Sequence, residues 1–167
     1  MGGKNKGDLH SGKCLHIVLN TGFFTAKDFI HALCWAGCKV DPAAEELLSR
    51  MSFPLRKNDE EVTLVVTSVA GLGFLKSAKL EEILRESKSE PLNFLPCSIE
   101  TALQLGIEYT EQPMDKTLFV AMEPIVGSDG AQIILCITHD EGDTRLLIAH
   151  KCITWSPDDL FVFLARK

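Results

Sequence analysis

The chain has 167 residues, of which 46% are hydrophobic and 24% are charged, and its formal net charge at pH 7 is -6. These proportions are typical of one soluble globular domain that is large enough to bury an apolar core. The acidic balance argues against a general attraction to nucleic acid or to anionic membrane surfaces, because both favour basic patches. No apolar run approaches the roughly 18 residues that a membrane-spanning helix needs.

The six cysteines could in principle pair as three disulfide bonds. A domain with this much Leu, Ile, Val and Phe does not need such cross-links, so we expect free thiols in a reducing cytoplasm. Residues 1–13 are dominated by Gly, Lys and polar residues and lack the apolar segment of a signal peptide. They are expected to form a disordered tail ahead of a single domain over residues 14–167.

Two amphipathic helices are predicted near the N-terminus, after a short apolar strand over residues 14–20. Thr25 is the predicted N-cap of the first helix, which should end before Gly37. Asp41 and Pro42 predict the start of the second helix. Two helices joined by a short turn also allow a DNA-binding interpretation, but the second helix is acidic and carries no row of base-reading side chains. We therefore expect no nucleic-acid partner and no membrane association.

The middle of the chain alternates between strand and helix patterns. Residues 61–69 are dense in Val and Thr, which is typical of a strand. Ser77 predicts the start of a helix that runs to about Ser87. Ser98 then starts a shorter helix that Gly106 should terminate.

Four apolar segments between Thr117 and Leu164, separated by loops rich in Gly, Asp and Pro, predict an antiparallel β-meander. The predicted fold class is α+β, with N-terminal amphipathic helices packed on this C-terminal four- to five-stranded antiparallel sheet. One further strand near residues 61–69 is expected to join it. Both faces of the meander are mostly apolar, so both need cover. Either the helices divide between the two faces, or one face is buried against a second copy of the chain. Because three amphipathic helices and a short fourth offer limited cover, we expect a homo-oligomer or a protein partner.

The predicted hairpin loops, at residues 126–130 and 139–143, set the register of the meander. Val120 then lies opposite Cys136, and His150 lies beside Gln132 on an apolar face. A buried imidazole needs a hydrogen-bond partner, and Gln132 is the simplest one. The alternative is a small-molecule pocket between sheet and helices. Its predicted ligand-binding residues are Tyr109, Gln132, His150 and Trp155.

Two groups of potential metal ligands lack the spacing of known metal sites. The first group lies in and just after the first helix and contains no CxxC or HxxxH pair. It consists of His31, Cys34 and Cys38. The second group shares one hairpin loop but does not match a calcium-binding loop. It consists of His139, Asp140, Glu141 and Asp143. We predict neither a metal nor a cofactor.

The sequence favours two kinds of function. The leading hypothesis is a non-catalytic cytoplasmic binding or interaction protein that self-associates, because the sheet is apolar on both faces. It is also favoured because no motif places a Ser or Cys beside a His, so no catalytic residue is assigned. The alternative is a small-molecule-binding domain, or a small enzyme, with a pocket between the sheet and the helices.

Overall fold

The structure is a computed structural model that describes residues 12–19, 25–53, 58–109, 112, 116–140, 142 and 144–166. Residues 1–11 of the predicted tail lie outside the described residues. The elements are β1 (Cys14–Leu19), α1 (Ala26–Trp35), β2 (Cys38–Val40), α2 (Pro42–Ser49), β3 (Glu60–Ser68), a 3-10 helix (Ala70–Leu72), β4 (Ala78–Lys79), α3 (Leu80–Lys88), α4 (Ile99–Glu108), β5 (Lys116–Val120), β6 (Ile125–Val126), β7 (Gln132–His139), β8 (Arg145–Lys151), β9 (Thr154–Trp155) and β10 (Leu160–Leu164). Among these described elements, no helix is long and apolar enough to cross a membrane.

In the part of the chain that the structure describes, the main sheet has eight strands and is mixed. The predicted small antiparallel meander is therefore wrong, although the fold is α+β. Seven strands follow the order β1-β3-β10-β5-β7-β8-β2, and β6 pairs with β7 beside that path. The pairs β10–β5 and β2–β8 are parallel. The sheet curls into a half-barrel. Strands from the N-terminal part of the chain thus form both of its edges.

The position of β10 explains the error. This strand does not follow β8 in the sheet; it lies between β3 and β5, antiparallel to the first and parallel to the second. Phe161, Val162 and Phe163 are fully buried there. An apolar pattern predicts that such a strand is buried on both faces, but it carries no information about which strands lie beside it.

Helices α1, α2 and α4 cover one face of the sheet, which we call the helical face. Leu118 and Ile137 lie opposite each other on this face and are buried. Gly106 of α4 is packed closely against it, because a Cβ atom at this position would lie 2.7 Å from Cδ2 of Leu33 and 3.5 Å from Cδ1 of Ile137. The prediction that Gly106 ends this helix is wrong. The absence of a side chain at Gly106 lets α4 pack closely against α1 and the sheet, and the helix continues to Glu108.

The second face, which we call the aromatic face, is covered by Trp155 and the elements attached to it. Phe119 and Phe161 lie side by side on β5 and β10, with ring centroids 5.5 Å apart. Trp155 packs edge-on against both, at 5.8 and 5.3 Å. Because β9 pairs with β4 and α3 begins directly after β4, the chain itself supplies cover for this part of the sheet.

The predicted register of β5 is wrong by one residue, because Phe119 and not Val120 lies opposite Cys136. A shift of one residue moves each side chain to the other face of the sheet. The strand is interrupted between β5 and β6, where the Ala121 N–H donates to the carbonyl oxygen of Val162 at 3.0 Å and Pro124 has no N–H to donate. Because of the residues in this interruption, β6 pairs with β7 in a different register from that of β5.

Candidate functional site

A cavity of about 580 Å³ opens beside the paired strands β4 and β9 and the first turns of α3. Its floor is largely apolar, with Leu80 and Leu84 buried and Pro124 and Cys152 half-buried. Its rim consists of exposed side chains, most of them polar. They are Lys79, Glu81, Glu123, Gln132, Ile153 and Thr154. The lining therefore combines apolar and polar groups, and clefts of this size that offer both can hold small molecules.

Backbone pairing holds two sides of the cavity in place. Lys79 lies opposite Thr154 in the β4–β9 pair. The N–H of Cys152 donates to the carbonyl oxygen of Gln132 at 2.8 Å, and Val126 pairs with Gln132 from its other side. Segments that are distant in sequence are therefore joined by main-chain contacts. The shape of the cavity depends on the fold more than on the rotamers of its rim.

In the described part of the chain, the charged groups on the rim are two carboxylates and one ammonium. Among the described residues, neither Glu81 nor Glu123 has a hydrogen-bond or ion-pair partner for its carboxylate. Glu81 lies in the first turn of α3, where the helix dipole stabilises negative charge. Lys79 precedes the same helix. Both carboxylates are exposed and available to a bound molecule.

Cys152 is the potential nucleophile in the floor, and its thiol is free. Burial raises the pKa of this thiol, so it is protonated near neutral pH and reacts slowly. Among the described residues that line the cavity there is no histidine that could act as its base. The lining thus offers binding groups without an activated nucleophile.

Comparisons of the chain with protein-family models, with curated proteins and with solved structures find no significant match.

The four predicted ligand-binding residues lie in three places. Gln132 is on the rim of the cavity. His150 and Trp155 belong to the cluster on the aromatic face, with ring centroids 5.9 Å apart, and neither is among the residues that line the cavity. Tyr109 follows α4, where its hydroxyl oxygen accepts a hydrogen bond from Nζ of Lys13 at 3.0 Å. The structure brings His150 and Trp155 together but does not bring Tyr109 to them.

His150 packs as an aromatic ring and does not form the predicted hydrogen bond to Gln132. Ile134 lies opposite His150 in the β7–β8 pair. The imidazole packs edge-on against Phe119 at 5.2 Å. Its buried Nδ1, and the buried Nε1 of Trp155, have no hydrogen-bond partner among the described residues. His150 lies two residues before the cavity-lining Cys152, and Trp155 directly follows the cavity-lining Thr154.

The potential metal ligands are dispersed. His31 and Cys34 are exposed, whereas Cys38 is buried. His139 is buried at the end of β7, where its Nδ1 is hydrogen-bonded to the carbonyl oxygen of Gln112. Glu141 and Asp143 lie outside the described residues. In the part of the chain that the structure describes, no group of three or more His, Cys, Asp or Glu side chains is placed to hold a metal ion.

Sequence reasoning missed most of the cavity because its parts carry no pattern of their own. The prediction that a helix starts at Ser77 is wrong, because Ala78–Lys79 form the two-residue strand β4 and α3 begins at Leu80. The signal that was present is Glu123 followed by Pro124, a charged residue and a strand-breaking residue within an otherwise apolar segment. Such a pair indicates an interruption where a strand opens to solvent.

Proposed function

We propose that this protein is a non-catalytic binding protein that holds a small amphipathic molecule in the cavity beside α3. The observation that carries the proposal is the combination of a buried apolar floor, a charged rim and a volume of about 580 Å³. An apolar group of the ligand would displace water from Leu80 and Leu84, and a polar group would remain at the rim. The protonated thiol of Cys152 favours binding over nucleophilic catalysis.

The proposal includes a cytoplasmic location. All six cysteines are free, including the exposed Cys14 and Cys34. Free thiols persist in reducing compartments, whereas secreted proteins usually pair them. Detection of the protein in a cytosolic fraction with its thiols reduced is the expected result, and an oxidised, secreted form would contradict it.

The test uses naphthylethanol, an uncharged fluorescent molecule with an apolar body and one hydroxyl group. We expect saturable binding and a rise in the melting temperature of the protein, because a ligand that binds the native state stabilises it. Thr154→Trp places an indole on the exposed rim of the cavity. This variant should weaken binding by about tenfold or more, because the indole competes for the space that the ligand fills.

Lys39→Trp is the matched control, since Lys39 is an exposed strand residue that does not line the cavity. It should bind naphthylethanol as the unmodified protein does. Absence of saturable binding, or equal weakening by the two Trp variants, would contradict the proposal.

Self-association remains the second candidate, and two exposed apolar side chains favour it. Val126 and Ile153 are 62% and 68% exposed. Val126 pairs with Gln132, and Ile153 directly follows Cys152, whose N–H donates to the carbonyl oxygen of Gln132. A second copy seated on this patch would shield apolar surface beside the cavity. Sedimentation equilibrium should then show a dimer that the change of both residues to Ser dissociates. A monomer at all concentrations would exclude this candidate.

A further inference from the structure

We propose that the cavity selects ligands whose apolar body carries a positively charged amino group. This inference rests on the proposed function and adds the chemical class of the ligand. It depends on the balance of charge at the rim, whose described residues carry two carboxylates, those of Glu81 and Glu123, and one ammonium, that of Lys79.

The two carboxylates form no side-chain contact that a ligand would have to break among the described residues. Neither has a hydrogen-bond or ion-pair partner among the described residues. Both belong to exposed residues of the rim, so a ligand can reach them without displacing a protein group. A ligand ammonium can therefore form charge-assisted hydrogen bonds with one or both of them.

The N-terminus of α3 does not reverse this preference. A free helix N-terminus attracts anions, but this one carries Glu81 and Glu82 in its first turn. The carboxylate of Glu82 accepts a hydrogen bond from the N–H of Lys79 at 3.4 Å. An anionic ligand group would therefore meet acidic side chains at the helix end, with Lys79 as its cationic partner on the rim.

The apolar floor of the cavity determines the second feature that a ligand needs, which is an apolar body. Leu80 and Leu84 are 6% and 7% exposed and lie one helical turn apart on α3. They present an apolar surface below the charged rim. A molecule with an apolar ring and a short ammonium arm can contact the floor and the rim together, which a small hydrophilic amine cannot do.

The experiment compares three probes that share one apolar body. These are naphthylethylamine, naphthylethanol and naphthylacetate, which carry an ammonium, a hydroxyl and a carboxylate. We expect the amine to bind about three- to tenfold more tightly than the alcohol, and the carboxylate more weakly than both, as exposed ion pairs contribute modestly. Added salt should weaken binding of the amine and leave the alcohol almost unchanged.

Variants that replace one glutamate by uncharged Gln show which carboxylates cause the preference for the amine. Glu81→Gln and Glu123→Gln should each reduce the affinity for the amine by about twofold to fivefold and leave the affinity for the alcohol unchanged. Glu86→Gln is the matched control, because Glu86 is an exposed glutamate of α3 that does not line the cavity. It removes the same charge and should not change the preference.

The outcomes separate this inference from the proposed function. If the alcohol binds and the amine binds no more tightly, or if the carboxylate binds best, the charge preference is wrong while the binding function stands. An equal effect of the Glu86 control would attribute the preference to net charge and would also overturn the inference. If none of the three probes binds, both proposals fail.

Discussion

The guanidinium of Arg145 donates a hydrogen bond of 2.7 Å to the carbonyl oxygen of Gly106 in the last turn of α4. A second hydrogen bond, at 3.3 Å, reaches the carbonyl oxygen of Ala36, the C-cap residue of α1. Arg145 is buried, and burial lowers the pKa of its guanidinium. Among the described residues it has no carboxylate partner. The negative ends of two helix dipoles therefore stabilise this cation.

Replacement of Arg145 by Met should lower the free energy of unfolding by about 2–4 kcal/mol, because it leaves helix carbonyl groups without donors. Arg145→Lys keeps the positive charge but lacks the forked geometry that reaches both helices. It should lower the free energy of unfolding by less than Arg145→Met does. Urea denaturation followed by circular dichroism measures both changes. Arg85→Met, at an exposed position of α3, is the control and should differ little from the unmodified protein. A Met variant of full stability would show that the buried charge costs as much as its hydrogen bonds contribute.

Gly106→Ala tests the close contact between α4, α1 and the sheet. Alanine favours a helix by about 1 kcal/mol relative to glycine, but its Cβ would lie 2.7 Å from Cδ2 of the fully buried Leu33. We expect the clash to dominate and to lower stability by about 1–2 kcal/mol. The double variant with Leu33→Val measures the coupling, because Val lacks the methyl group that clashes. In the Leu33→Val protein, Gly106→Ala should lower the free energy of unfolding by less than it does in the unmodified protein. Strict additivity of the two changes would contradict the prediction.

The sequence predicted those features whose signals lie within a few residues of one another. Thr25 and Asp28 form the predicted start of α1, because each side chain accepts a hydrogen bond from the other residue's N–H, at 3.3 and 2.9 Å. Pro42 begins α2 as expected. These contacts are local, so propensity and capping rules are sufficient to find them.

The order of the strands and the cavity could not be predicted in this way. β10 is placed by pairing with β3 and β5, which lie about 100 and 45 residues earlier in the chain. The cavity joins residues near 80, 124, 132 and 153, and Gln132 alone among the four predicted ligand-binding residues lines it. Leu80 and Leu84 lie on the buried side of α3. No periodic pattern indicates that such a side also borders an open cavity.

The thiols should react in an order set by exposure and burial. Cys14 and Cys34 are exposed and should be alkylated first by iodoacetamide at mildly alkaline pH. Burial raises the pKa of Cys97 and of Cys136 to about 12, so both stay protonated and unreactive until the protein unfolds. Cys152 should react at an intermediate rate that a bound ligand slows. Mass spectrometry of timed digests measures the order, and early labelling of Cys97 or Cys136 would contradict the burial of these thiols.

Glu108 protects the edge of the sheet at β1, which among the described strands of the main sheet pairs with β3 alone. Its carboxylate accepts a hydrogen bond from the N–H of Val18 at 2.9 Å. An open edge strand exposes unpaired N–H groups that invite pairing with another chain. Glu108→Ala should therefore accelerate hydrogen exchange of the Val18 amide by about fivefold to tenfold, because that amide loses its hydrogen bond.

The amide of Ile17 is the internal reference for this measurement, since the exchange of an amide that does not contact Glu108 should change little. Glu86→Ala, which removes a carboxylate from the exposed surface of α3, controls for the change of net charge. Equal exchange at Val18 in the unmodified protein and in the Glu108→Ala and Glu86→Ala variants would show that the Glu108 side chain does not protect this amide in solution. A uniform acceleration along β1 would instead indicate that Glu108 stabilises the whole strand, because a single lost hydrogen bond affects one amide.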